Sequence, residues 1–416
     1  MSTDIRLDIG ERKLASGLAL LAVRNPGVQT FAGVVTLEIR AGAEPEDKAG
    51  LANLVGSCLD EGTEKYEDLA LASAAESLGA SLDGNHRGGV VMAPASSEKP
   101  ALQLLREIVT RPTFPSRSVR RVQGEVLTEI RAEEDDPRVV AGRRFRKQIY
   151  GRHPLGRPAQ GTAASVAALA PKDLRAFHRK WFQPADGYVA ASGPDDPAVT
   201  LDRLEQIFKG FRGKAVEQVA VPEVALAASA HNTHVPMARE QVHIYLGHLG
   251  IRRACPDFYV LSVMDHILGT GPGFTSRCAR KLRDEQGLCY AVSAGITSSA
   301  GEEPGMFTAY IGTSPEHRQQ AIDGFLAEIE RIRSEPPSEQ ELDDVKQYLT
   351  GSFVFAFERN NNLASYAVRA KRFGLGFDFL HRYPDIIRAI TAEQVRDAAE
   401  RYLHPDRIAV ISAGAS

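Results

Sequence analysis

Three segments of this chain recur at fixed spacing, and that regularity limits its architecture more than any single motif. In VTLEIRAG the apolar Val35, Leu37 and Ile39 alternate with Thr36, Glu38 and Arg40, the period of a half-buried strand. VHIYLGH repeats the pattern from Val242, 207 residues after Val35. The helix expected next, GLANLVGSCLDEGT, sets Leu51, Leu54, Val55, Cys58 and Leu59 in one apolar stripe and ends at Gly62-Thr63. FYVLSVMDHILGT ends at Gly269-Thr270, again 207 residues on. SSEKPALQLLREIV, with Ser97 as its helix cap, is echoed 221 residues later by Phe325, Leu326 and Ile329, after Ser314-Pro315. ALAPKDLRAFHRKWFQPADGYVAASG and AITAEQVRDAAERYLHPDRIAVISAG keep the 221 spacing, so that Pro184 matches Pro405 and Gly193 matches Gly414. A register that moves once from 207 to 221 predicts two homologous halves with 14 extra residues in the second, expected near GTGPGFTSRCARKLRDEQGLCYAV.

The predicted class is α+β: two homologous α/β-sandwich halves, each an antiparallel-type sheet with helices on one face. The small-residue-rich stretch GKAVEQVAVPEVALAASAHNTHVP places a linker at 214–236, between an N-terminal domain at 1–213 and a C-terminal domain at 237–416. With 43% hydrophobic and 25% charged residues the chain has a globular composition. Its net charge of -3 offers no basic excess for nucleic acid or an anionic membrane. No stretch reaches the length of a membrane helix, and MSTDIRLDIGERK lacks an apolar signal core. The expected location is therefore cytoplasmic, or periplasmic if a signal segment preceded Met1. Cys58, Cys255, Cys278 and Cys289 form no CxxC pair and read as reduced, mostly buried thiols.

Common chemistries fail on spacing. His231 and His234 fall in the expected linker, while His243 and His248 are five apart on a strand and face opposite sides, so no zinc pattern emerges. GTGPGFTS lacks the lysine of a phosphate-binding loop, and neither GxGxxG nor GxSxG occurs in a suitable context. The run Glu133, Glu134, Asp135, Asp136 reads as a solvated helix end.

LASGLALLAVRN followed by VTLEIRAGAEPEDKAGLANLVGSCLDEGT resembles the opening of the insulinase-like, or inverzincin, metallopeptidases. The likeness continues through GEVLTEIRAEEDDP, YGRHPLGRPAQGT, LRAFHRKWFQPADGYVAASG and LRDEQGLCYAV. It implies two related α+β domains joined by a linker, forming half of a clamshell. Active members carry H-x-x-E-H on the first helix, two histidines holding zinc and a glutamate base. Here Asn53, Gly56 and Ser57 occupy those places. Amide and hydroxyl oxygens are poor zinc ligands and glycine cannot accept a proton, so hydrolytic chemistry is not expected from this chain alone. Glu129 in EVLTEI matches the third ligand position and reads as a helix-surface carboxylate.

LRDEQGLCY resembles the family's substrate-binding arginine and tyrosine, which fall on Arg283 and Tyr290. By spacing, Arg283 lies in the last turn of a helix ending at Gly287, and Tyr290 two residues into the next strand. There the pair could also be a surface arginine and a packed strand tyrosine. The resemblance implies a non-catalytic, substrate-binding subunit of a heterodimeric zinc peptidase. A homologous H-x-x-E-H chain would carry the zinc, and a peptide or small unfolded protein would be the substrate. A purely structural protein of the same fold and a homodimeric peptide-binding protein are the alternatives.

Overall fold

The structure, a computed structural model, describes residues 7–415. Its first sheet contains β1 (Ile9–Lys13), β2 (Ala19–Arg24), β3 (Thr30–Thr36), β4 (Ser81–Asn85), β5 (Gly88–Pro94) and β6 (Tyr188–Gly193), ordered β1-β2-β6-β3-β5-β4. The second contains β7 (His231–Pro236), β8 (Val242–Leu249), β9 (Val292–Gly295), β10 (Met306–Thr313) and β11 (Ala409–Gly414), ordered β7-β11-β8-β10-β9. Apart from β1 the two orders correspond strand for strand. In each sheet one neighbouring pair, β2 with β6 and β7 with β11, is parallel, and the others are antiparallel. The duplication expected from the 207 and 221 spacings is therefore a duplication of sheet topology.

Several local expectations are corrected. The first repeated strand runs Thr30–Thr36 and not through Ile39, with five consecutive buried residues instead of alternation. It is covered on both faces, so the half-buried pattern does not apply. The end of the expected linker, His231–Pro236, is β7, a partly exposed edge strand that its mixed polar sequence does not advertise. Most of the extra length lies in the β9–β10 connection, residues 296–305, where β4 and β5 are joined by His86 and Arg87 alone. Ser97 makes no capping hydrogen bond; Glu98, the next residue, pairs with Arg203 instead. Asp136 is a true cap, accepting from the Arg138 N–H at 2.8 Å, and Glu133 pairs with Arg143.

The chain forms two compact units, and neither is a continuous stretch. Unit 1 comprises the described residues through Arg131, Pro158–Val221 and Val354–His381. Unit 2 comprises Ala132–Arg157, Pro222–Phe353 and Arg382 onward. Two helices are thereby exchanged. Pro137–Tyr150, from the first half, packs on β8 and β11 of unit 2, where Phe145 and Tyr150 join Met306, Ala409 and Ile411 in one apolar cluster. Asn360–Arg372, from the second half, packs on β2, β3 and β6 of unit 1, burying Leu363, Ala364 and Ala367. Helices thus cover both faces of β3, because Leu102 and Leu105 of the helix Glu98–Thr110 approach Gly33 from the opposite face.

Candidate functional site

In unit 1 the segment matching the metal motif is a short helix, Leu51–Gly56, followed by a turn. Leu51, Leu54, Val55, Cys58 and Leu59 are buried, so the predicted apolar stripe holds. The helix is braced at its start by a carboxylate: Gly50 and Ala52 donate their N–H groups to Glu44 at 2.9 and 2.8 Å. This cap satisfies two otherwise unpaired donors and complements the positive end of the helix. Gly50 has φ 92°, and a Cβ there would lie 2.4 Å from the Gln160 carbonyl oxygen, so the backbones cross where only glycine fits. Ser165 Oγ donates to the Ala49 carbonyl at 2.7 Å, and Lys48 pairs with Asp173 at 2.7 Å. Part of the YGRHPLGRPAQGT resemblance is thus a mount for this helix.

Asn53 and Ser57 share a face, as their spacing predicts; Asn53 is half-buried and Ser57 exposed. The Ser57 N–H donates to the Asn53 carbonyl at 2.9 Å. Gly56 is buried, and a Cβ there would lie 2.5 Å from the His86 backbone nitrogen and 2.6 Å from the Asn85 carbonyl carbon. The β4–β5 turn therefore fills the space that a general-base side chain would need. Reciprocally, a Cβ at Gly84 would meet the Gly56 carbonyl oxygen at 2.5 Å. Glu129 is exposed on the helix Ser116–Glu134. Among the described residues no group of three His, Cys, Asp or Glu side chains is placed to hold a metal ion. The residues at the motif do not fit zinc: they offer an amide, a hydroxyl and no base.

Unit 2 carries the other pair. Arg283 lies in a π-helical segment, Ala279–Glu285, that closes through Gly287 at φ 65°, with Gly287 N–H donating to the Arg283 carbonyl at 3.1 Å and Leu288 N–H to that of Leu282 at 2.9 Å. The helix end expected at Gly287 is present. Tyr290 precedes β9 by two residues instead of lying within it, and is 88% exposed, so it is not a packed strand tyrosine. Between the pair, Cys289 is half-buried; burial pushes its thiol up to about 11 against the opposing pull of Arg283. Such a thiol stays protonated and is a poor nucleophile.

Two polar clusters hold this segment, and neither was singled out from sequence. Arg277 is 3% exposed and grips Glu341 with two contacts, Nε to Oε1 at 2.9 Å and Nη2 to Oε2 at 3.0 Å. Arg280 adds a third at 2.8 Å. Glu341 also closes a capping box with Ser338 at the start of the helix Glu339–Ser352, a signal visible in SEQE. Burial alone would raise its pKa, but the Arg277 and Ser338 contacts outweigh burial and hold it at about 2. Asp265, fully buried at the end of the helix Phe258–Asp265, accepts from Ile296 N–H at 2.8 Å, and from Thr297 N–H at 2.9 Å and Oγ1 at 2.5 Å. It fixes the end of β9. Two of the histidines make structural contacts: His243 contacts the Tyr310 hydroxyl at 2.9 Å, and His248 Nε2 accepts from His404 N–H at 3.1 Å. All four cysteines are free thiols. No described helix is long and apolar enough to cross a membrane.

The insulinase (peptidase family M16) model matches residues 24–163, and the model of the peptidase M16 inactive domain matches residues 168–349. An uncharacterized zinc protease of Bacillus subtilis is 23% identical, over 84% of this chain and 85% of that protein. A Helicobacter pylori protein described as a non-peptidase homolog is 24% identical, over 88% of this chain and 85% of its own. Among solved structures, a peptidase M16 inactive domain from Pseudomonas fluorescens superposes with a TM-score of 0.90 at 24% identity, covering 99% of both chains. A protease from Helicobacter pylori gives 0.87 at 15% identity, covering 98% of this chain and 100% of that one. The duplicated topology agrees with these matches, and the chain belongs to the insulinase-like M16 peptidase family.

Proposed function

We propose that this chain is a non-catalytic, peptide-binding subunit that lends Arg283 and Tyr290 to the zinc site of a homologous H-x-x-E-H chain. The observation that carries the reading is the contrast between the two motifs. The base position at Gly56 is closed by the His86 backbone, whereas the Tyr290 side chain stands 88% exposed on a segment anchored by Arg277 and Glu341. An exposed phenol and a guanidinium are donors suited to a peptide carbonyl and to the oxyanion that develops on it. The substrate class is an extended peptide or small unfolded protein, and the metal and the attacking water belong to the partner.

The test is steady-state kinetics of the purified one-to-one complex with an H-x-x-E-H homologue from the same organism. Tyr290→Phe is expected to lower kcat by about 10²–10³, the magnitude for loss of one oxyanion donor, with the zinc content of the complex unchanged. Arg283→Ala is expected to act similarly, and less than additively with Tyr290→Phe. Wild-type rates in both variants, or full activity of the homologue by itself, would reject the assignment in favour of a structural role.

A further inference from the structure

Unit 1 has two adjoining clefts that the peptidase-like reading leaves unused. One, of about 710 Å³, is bordered by Lys65, Lys99, Arg106 and Lys209. The other, of about 460 Å³, is bordered by Arg111, Arg175, Arg179 and Arg212, again with Arg106. Arg106 and Gly210 line both, which makes them one trough. Among its lining residues only Glu64 and Glu107 are carboxylates, in a chain whose overall charge is -3. The Nε of Arg106 and one oxygen of Glu107 are buried at the junction without a hydrogen-bond partner.

Part of this basic excess has a local cause. Four helices end at the trough: Asp68–Ser77, Glu98–Thr110, Pro171–Trp181 and Pro197–Phe208. Each C-terminus carries about half a negative charge and favours nearby Lys or Arg. Four such ends and two carboxylates offset about half of the cations, and the rest have no counter-charge in the trough.

The same helix ends select the ligand. Some of their carbonyls are already used, that of Val109 by His178 and that of Arg179 by Gln183, but the negative end charge of all four still disfavours a phosphate or sulfate, which brings only acceptors. A polypeptide brings N–H donors for the carbonyls together with carboxylates for the guanidinium forks. Successive stacked bases would need a row of exposed aromatic faces, but Phe114, Phe182 and Phe211 along the trough are buried and Tyr66 is half-buried. We propose that the trough docks an acidic, extended polypeptide segment.

The experiment uses the full chain and a fluorescein-labelled polyglutamate peptide of about ten residues, followed by anisotropy at about 0.15 M salt, where screening removes diffuse attraction. Saturable one-to-one binding is expected, and the combined exchange Lys65→Glu, Lys99→Glu and Lys209→Glu should weaken it by about ten-fold or more. These lysines are exposed, so the variant should fold; Arg175→Glu with Arg179→Glu and Arg212→Glu tests the second cleft. Arg388→Glu, exposed on unit 2, is the control and should bind as wild type. Unchanged binding in the lysine variant overturns the proposal. So does displacement of the peptide by lower concentrations of tripolyphosphate or of a single-stranded thymidine oligonucleotide.

Discussion

The backbone nitrogen of His86 lies 2.5 Å from where a side chain at Gly56 would begin. Backbone cannot rotate out of the way as a flexible side chain can, so even one methyl group must push the β4–β5 turn aside. Gly56→Ala is expected to destabilise the protein by about 2 kcal/mol, within the range for overpacking a tight interior, and Gly56→Glu by more. Asn53→His, at a half-buried position, and Ser57→His, at an exposed one, should each cost less than about 1 kcal/mol. Chemical denaturation of the four variants checks the order. If Gly56→Ala unfolds at the wild-type denaturant concentration, the turn does not close this position.

Arg277 and Glu341 form a well-shielded ion pair in unit 2, with side chains 3% and 18% exposed. Without Arg277 the carboxylate keeps only Arg280 and Ser338, so Arg277→Ala is expected to cost about 2 kcal/mol, less than stranding a buried charge completely. The Glu341 carboxylate is held near pH 2, below its ordinary value of 4.5, so its stabilisation is complete above about pH 4.5 and is lost as pH falls towards 2. Acid titration of stability should therefore show a component between those values that Glu341→Gln removes. Because Arg277 precedes the segment bearing Arg283, the loss should also speed amide exchange at 279–290.

Asp60 behaves in the opposite sense. Burial, aided by Glu61 and Asp83, pushes its carboxyl up to about 6, above the ordinary 3.8. The folded protein then holds this proton more tightly than the unfolded chain. The resulting stability is present at low pH and disappears as pH rises from about 4 through 6. Asp60→Asn is expected to gain about 1 kcal/mol at pH 8 and nothing at pH 4, once partial solvent screening is allowed for. Denaturation midpoints that differ equally from wild type at both pH values would contradict this.

How far the fold can be read from the sequence differs between elements for physical reasons. The strand pairs β6/β11 and β3/β8 are legible because Gly193 and Gly414, or Val35 and Val242, keep their spacing through the duplication. The helix exchange is not, since periodicity in Pro137–Tyr150 and Asn360–Arg372 reports which face is apolar and not which sheet it covers. Loss of the metal motif is visible at Asn53, Gly56 and Ser57, but its steric closure depends on a tertiary approach by Asn85 and His86. Tyr290 was identified only through family resemblance, because LCYAV has the pattern of a buried strand while the residue stands exposed before it. Asp265 leaves no sequence signal, as its backbone partners at 296 and 297 lie beyond a strand.

The exchanged helix yields the last prediction. Asn360 opens Asn360–Arg372 and is buried in unit 1, where its Nδ2 donates to the Thr30 carbonyl at 2.6 Å and its Oδ1 accepts from Asn25 at 2.9 Å and from Ser192 Oγ at 3.1 Å. One amide thus satisfies β3, β6 and the loop after β2, strand neighbours that the rest of the helix covers by apolar contact. Asn360→Ala would leave several polar groups without a partner at a buried site, at a cost of about 3 kcal/mol. Arg369→Ala, exposed on the same helix, should change stability by less than about 0.5 kcal/mol. If Asn360 anchors the exchange, amide protection in its variant should fall along Asn360–Arg372 and β3 before it falls in the second sheet. Hydrogen exchange resolved by segment measures this, and a uniform loss of protection across both sheets would instead make Asn360 one core contact among many.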